Sequence, residues 1–426
     1  MLSGRTGRDV VVTGLGVVAP GACGIDAFRA VLRAGKSVVE FDETMRSRGF
    51  GCHVSARAKL TPEALARTFT EVELRRGASM GLRSAVVAGM DAFRDSGLES
   101  KGAELYPTWS VVFGVGIPGI DTLKEAFDLI DTGQCKRLGS GGMEMQMPSS
   151  AAATLAARLG AGGPATTVAS ACASGTEAVL TGVDRIRRGL ADVVLAGSVE
   201  ADGHHLWGGF DALRVITRVS NEAPGAASRP LSATAAGFVP ASGAGALLLE
   251  SREHAERRGA RIYAEIRGGF VNCGARRNGG SMTAPNPLAM RACIEQALKD
   301  AEVSASEIDL VSGHLTATAG DLGEVAVWCD ALRRGGADFP WLNAPKSIFG
   351  HALSGSGAIE LVACALELHD GFVHPSLNCA DLHPNVLAHI DESRVAREFM
   401  ETPLSTIAKA NFGFGDVNAC AILRRV

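Results

Sequence analysis

The sequence predicts an α/β protein built from two halves of similar order. Three observations carry this: short β-branched runs recur along the chain, apolar residues at helical spacing lie between them, and the series starts again after one charged connector. The first half contains "VVVT" at 10–13, "SVVF" at 110–113, "TVAS" at 167–170, "DVVLA" at 192–196 and "ALLLE" at 246–250. After "TVAS", Val179, Val183, Ile186 and Leu190 repeat at spacings of four, three and four, which predicts a helix from about Ser174 to Gly189 with one buried stripe. Arg185, Arg187 and Arg188 fall in its last turns, where cations suit the helix dipole. The connector "SREHAERRGAR" at 251–261 closes this half. Strand candidates then resume with "IYAEI" at 262–266, "IDLVS" at 308–312, "WLNA" at 341–344, "TIAKA" at 406–410 and "CAILR" at 420–424. The division expected from this is residues 1–258 and residues 259–426.

Composition narrows the class. A hydrophobic fraction of 46% with 21% charged residues over 426 residues is that of a globular protein, and excludes disordered and fibrous classes. The net charge of −4 and the lack of a long basic run argue against nucleic acid as a partner. Ten scattered cysteines without a C-x-x-C pair point to reduced thiols and a cytoplasmic setting. Two stretches imitate membrane signals. The first, "VVVTGLGVVAPGA", carries Asp9 before it and Thr13, Gly14, Gly16 and Pro20 within it, which favours a strand and turn over a secretory leader. The second, the uncharged run from Pro230 to Leu249, holds Ser, Thr, Gly and Pro240, and is a poor bilayer helix. "GLGVVAPG" also begins like a dinucleotide fingerprint, but Ala19 stands where the third glycine belongs.

The chemistry-bearing residues sit at strand ends. Cys172 lies in "TVASACASGTEA" among residues with almost no bulk, between a strand and a helix start. There the helix dipole and free backbone N–H groups would lower a thiol from about 8.5 toward neutrality and could bind an oxyanion. Taken alone, the residue reads more readily as a buried strand-end cysteine, and partners are needed to reverse that reading. His314, in "IDLVSGHLTATAGDLGE", and His351, in "LNAPKSIFGHALSGSGAIELV", occupy matching glycine-bounded turns after strands. Strand ends of a doubly wound fold point into one crevice, so Cys172, His314 and His351 can converge. The three ligand types would also suit zinc, but no pair has the short spacing usual for it, and no metal is expected.

These segments, with "MPSSAAATLAARLGAGGPATTVASACASG", "GGFDALRVITRVSNEAPGAASRP", "KSIFGH" and "NFGFGDVN", resemble the β-ketoacyl-[acyl-carrier-protein] synthases over nearly the whole chain. The resemblance implies a thiolase-like fold with αβαβα layers and a decarboxylative condensation of an acyl thioester with a malonyl thioester, in fatty-acid or polyketide biosynthesis. It assigns Cys172 as the acyl-accepting nucleophile and His314 and His351 to malonyl decarboxylation. Lys346 and Glu324 match an ion pair beside the histidines, and the backbone N–H groups of Cys172 and Phe414 match an oxyanion hole. Phe412 and Phe414 resemble a gate at the acyl pocket, Thr316 and Thr318 substrate-facing hydroxyls, and Ile117 a position reaching across a dimer. An acidic acyl carrier protein is implied, with Arg75 and Arg76 as its docking patch. Phosphopantetheine arrives on that carrier, and no resident cofactor is implied. A homodimer is expected, with a heterodimer and a catalytically weak partner subunit as the alternative.

Three departures from the family pattern stand out. Leu315 replaces a glycine beside His314, where its bulk would narrow the site or tilt the ring. Asp321 arrives one residue early, and Asp416 and Val417 replace a glycine and a threonine in the gate.

Overall fold

Val10–Ala19 forms a fully buried strand, β1, so the stretch that imitates a leader is the spine of a sheet. The computed structural model describes residues 7–75, 79–139 and 141–426. Helix α1 (Met80–Asp95) lies directly on β1. A Cβ at Gly14 would stand 2.1 Å from the Ala92 carbonyl oxygen, and one at Gly16 1.9 Å from that of Ala88. The glycines of "GLGVV" therefore permit close helix–strand packing.

Every predicted run overlaps a strand. These are β2 (Trp109–Val115), β3 (Ala165–Val168), β4 (Val193–Glu200) and β5 (Gly243–Ser251) in the first half. In the second they are β6 (Ala264–Cys273), β7 (Leu310–Ser312), β8 (Trp341–Asn343), β9 (Thr406–Gly413) and β10 (Val417–Arg424). The pairing order is β3-β2-β4-β5-β1 in the first half and β8-β7-β9-β10-β6 in the second. Adding five to each strand number converts one order into the other. Strands β2, β3 and β4 run parallel and β5 antiparallel, as do β7, β8 and β9 against β10. The halves meet where β1 pairs with β6, Val11 opposite Glu265 and Val12 opposite Ala264.

The helices repeat in the same way: α2 (Ser150–Leu159) and α3 (Ser174–Arg187) in the first half, α4 (Pro287–Ala301), α5 (Gly320–Leu332) and α6 (Ser356–Asp370) in the second. Helices α3 and α6 pack against strands of both halves and form the middle layer. Helices α1 and α2 cover one outer face, and α4, with α5 beside it, covers the other, which completes the αβαβα stack. Each middle helix is reached through a single 3-10 turn whose first residue has a left-handed backbone, Ala171 (φ 49°) or Leu353 (φ 46°). The two helices then cross backbone on backbone. A Cβ at Gly175 would lie 2.4 Å from the Ala358 nitrogen, and one at Gly357 3.0 Å from the Gly175 Cα. This is why Cys172 lies among alanine, serine and glycine: its turn has to fit against the equivalent turn of the other half.

The stripe of α3 is shorter than its periodicity predicts. Val179, Val183 and Ile186 are buried, but the helix stops at Arg187 and Gly189 turns the chain with φ 70°, which leaves Leu190 exposed. The arginines serve tertiary contacts: Arg185 donates to Ser110 and Thr166, and Arg187 pairs with Asp300. All ten cysteines are free. No helix of the described residues is long and apolar enough to cross a membrane, and the run 230–249 leads into β5.

Candidate active site

The lead-in turn of α3 places Cys172 with its Sγ 3.2 Å from His351 Nε2. His351 follows β8, and its Nδ1 lies 2.9 Å from Ser356 Oγ at the start of α6. His314 follows β7 and stands nearly perpendicular to His351, ring centroids 5.2 Å apart. One ligand atom from each of the three side chains falls within 4.8 Å of the others. These atoms are the group among the described residues that could hold a thiophilic metal such as zinc. All three residues open on a pocket of about 450 Å³ that also takes in Thr316, Thr318, Phe210, Phe238, Phe412 and Phe414.

Gly413 explains how β9 reaches the nucleophile. A Cβ there would stand 2.9 Å from the Ser170 carbonyl oxygen and 3.1 Å from the Cys172 nitrogen. Without one, the Phe414 N–H comes within hydrogen-bonding reach of the Cys172 sulfur. Phe414 lines the pocket against Phe210, ring centroids 5.9 Å apart. Phe412 is 5% exposed and packs behind His314, so it belongs to both the core and the pocket wall.

The electrostatics overturn one expectation. Burial pushes the Cys172 thiol up to about 11, although the Lys346 charge and the Phe414 N–H pull the other way. Burial, then Lys346, holds both active-site histidines well below the usual imidazole range. The resting site therefore contains a thiol and two neutral rings, because desolvation at this depth outweighs the Lys346 charge and the Phe414 N–H. Iodoacetamide alkylation of Cys172 should accordingly climb about tenfold per pH unit from pH 7 to 10. A plateau by pH 8 would show a stabilised thiolate instead.

A second correction concerns the ion pair. Lys346 is fully buried and pairs at 2.5 Å with Glu360 on α6, not with Glu324. Lys409 on β9, also fully buried, approaches the other oxygen of Glu360 at 2.8 Å. Burial alone would raise Glu360, but the two lysines hold it at about 2. Glu324 instead fixes the histidine turn: it accepts the His314 N–H at 2.6 Å, the Leu315 N–H at 2.9 Å and the Trp328 indole N–H at 3.3 Å. Asp321 accepts the next N–H groups, from Thr316 and Ala317, and that of Leu231.

Leu315 does not narrow the site. Its backbone is left-handed (φ 21°) and its side chain is buried in the outer core of the second half, away from the pocket lining. The Thr316 and Thr318 hydroxyls lie 3.0 Å apart on the pocket wall. Asp416, also left-handed (φ 67°), ties the gate to the segment after β6 by accepting the Arg276 and Asn286 N–H groups. Ile117 is 44% exposed and outside this chain's own pocket. Arg75 is on the surface, paired with Glu71, while Arg76 lies outside the described residues.

Sequence reasoning missed Glu360, Lys409, Asn411, Ser356 and Arg214. Arg214 stands exposed at the pocket mouth with no ion pair among the described residues. The signal for Glu360 was legible: an acid isolated within the apolar run "SGAIELVACALEL" needs a buried partner.

Fold and site together define a cysteine-dependent acyltransferase of the thiolase fold. Residues 7–255 match the N-terminal domain of β-ketoacyl synthase, and residues 263–380 match its C-terminal domain. The chain belongs to the β-ketoacyl synthase family. It is 32% identical over 427 residues to 3-oxoacyl-[acyl-carrier-protein] synthase 2 of Rhizobium meliloti, covering 98% of this chain and 99% of that one. Among solved structures, it is similar to a type II polyketide ketosynthase bound to the hexaketide and in complex with its acyl-carrier protein, at 32% identity and TM-score 0.86, covering 99% and 100% of the two chains. It is also similar to the ishigamide ketosynthase/chain length factor, at 28% identity and TM-score 0.88, with coverage of 99% and 100%.

Proposed function

We propose that Cys172 accepts an acyl group and that His314 and His351 drive a decarboxylative condensation with a malonyl thioester, the reading carried by the convergence of the three side chains on one pocket. In the first half-reaction the Cys172 sulfur attacks the incoming thioester carbonyl. The new Sγ–carbon bond replaces the bond to the carrier's thiol, and the proton passes from Sγ through His351 Nε2 to that departing sulfur. The backbone N–H groups of Cys172 and Phe414 hold the oxyanion. In the second, the malonyl carboxylate leaves as carbon dioxide and its electron pair becomes an enolate. Imidazole N–H donors stabilise the enolate oxygen. Its carbon then attacks the acyl carbonyl, a carbon–carbon bond forms, the carbon–Sγ bond breaks, and the Cys172 thiolate takes up a proton from solvent, the one proton consumed overall when the malonyl carboxylate is lost as carbon dioxide.

The reactive groups arrive on phosphopantetheine carried by an acidic acyl carrier protein. Arg214 at the pocket mouth supports this, alongside the Arg75 and Arg76 segment. The open edge strand β3 and the exposed Ile117, Phe127 and Ile130 support a homodimer. Contact between Cys172 and His351 weighs against a silent partner subunit.

His314→Ala tests the division of labour. Carbon dioxide release from malonyl carrier protein should fall by ~10²–10³, while acyl loading of Cys172 stays within about threefold, because His314 is not needed to move the thiol proton. Unchanged release in this variant would remove the histidine from the mechanism.

A further inference from the structure

Asn411 connects three parts of the site. It lies on β9, fully buried, and its Oδ1 accepts from Thr176 Oγ1 of α3 at 2.6 Å. Its Nδ2 donates to Glu360 at 2.9 Å and lies 3.3 Å from His314 Nδ1. The amide cannot be turned over without setting Oδ1 against the Glu360 carboxylate, and Glu360 is kept ionised by the ammonium groups of Lys346 and Lys409. An amide nitrogen only donates, so the His314 nitrogen that it faces has to accept. His351 differs: its Nδ1 faces the Ser356 hydroxyl, which serves as donor or acceptor.

We propose that Asn411 is a positioning residue that locks His314 in the tautomer with its proton on Nε2. Resting on the condensation reading above, this makes His314 a fixed donor toward the enolate oxygen and leaves the proton shuttling to His351. His314 is then excluded as a general base at any stage of the cycle. Two lysines beside the histidines thus act through a carboxylate and an amide, and their charge specifies a proton position some distance from the reacting carbon.

The test combines imidazole ¹⁵N NMR of the full-length protein with kinetics of Asn411→Leu. In the wild type, His314 should show a bare Nδ1 and a protonated Nε2, and Asn411→Leu should lose this preference. Decarboxylation of malonyl carrier protein by the variant should fall roughly 10–100-fold, while acylation of Cys172 changes less than about threefold. A purely structural role would lower both rates together. A wild-type signal with the proton on Nδ1 overturns the proposal without any variant, as does Asn411→Leu decarboxylating at the wild-type rate. The condensation reading fails separately, if wild-type protein releases no carbon dioxide from malonyl carrier protein while its His314 is still protonated on Nε2.

Discussion

Cys172→Ala is expected to lose condensation by ~10⁴-fold or more, the scale seen when a nucleophile is removed from a unit that acts together. It should lose acyl loading altogether. The sulfur is the group within 3.2 Å of His351 Nε2 that an acyl chain on this pocket can reach. The variant keeps its two imidazoles, and their N–H donors do not depend on the thiol, so it should still release carbon dioxide from malonyl carrier protein. This split is more informative than loss of activity alone. A protein that merely unfolded would lose both reactions, and one with a different nucleophile would keep both. Alanine removes little volume from a turn already surrounded by Ala171, Ala173 and Ser174, so melting behaviour should barely change.

Glu360→Ala should produce the largest loss of stability, ~3–5 kcal/mol, because it leaves two buried ammonium groups without their carboxylate. The side chains of Lys346, Lys409 and Glu360 are 1%, 0% and 0% exposed, so water cannot replace the missing partner. Urea unfolding should show a lower midpoint with an unchanged slope. A shift below about 1 kcal/mol would mean that the cluster is solvated and that it does not anchor the orientation of His314. The pH dependence has a definite sign. Glu360 sits at about 2 in the folded protein against 4.5 ordinarily, so its contribution is complete above pH 4.5 and is lost as pH falls toward 2.

Much of this was legible in the sequence, for identifiable reasons. The ten strands that form the main pairing order were found because buried β-branched runs in a layered α/β fold leave little ambiguity, and the repeated order followed from their spacing; the two-residue strands at the periphery carry no such run. The convergence of Cys172, His314 and His351 was legible because each sits in a small-residue turn at a strand end. The partner of Lys346 was not. Glu324 and Glu360 both follow a histidine turn by about ten residues, and only the assembled fold, with Glu324 of α5 turned to the His314 backbone and Glu360 of α6 facing Lys346, decides between them. Asn411 gave no signal, since a polar residue on a buried strand declares its partners only once three elements are assembled around it. The thiol was misjudged because a helix start is visible in sequence whereas burial depth is not. Leu315 was misjudged for a related reason: its left-handed backbone, held by Glu324 and Asp321, turns the side chain into the core.

In the proposed reaction one sulfur carries the acyl group between two carrier-borne substrates. Intact and peptide mass spectrometry of the wild-type protein after exposure to acyl carrier protein, then to malonyl carrier protein, tests it most directly. The expected result is an acyl adduct on Cys172 alone, which disappears on malonyl addition with one carbon dioxide and one β-ketoacyl product per adduct lost. Product and carbon dioxide formed with Cys172 unmodified, or an adduct on another cysteine that is consumed in its place, would contradict it.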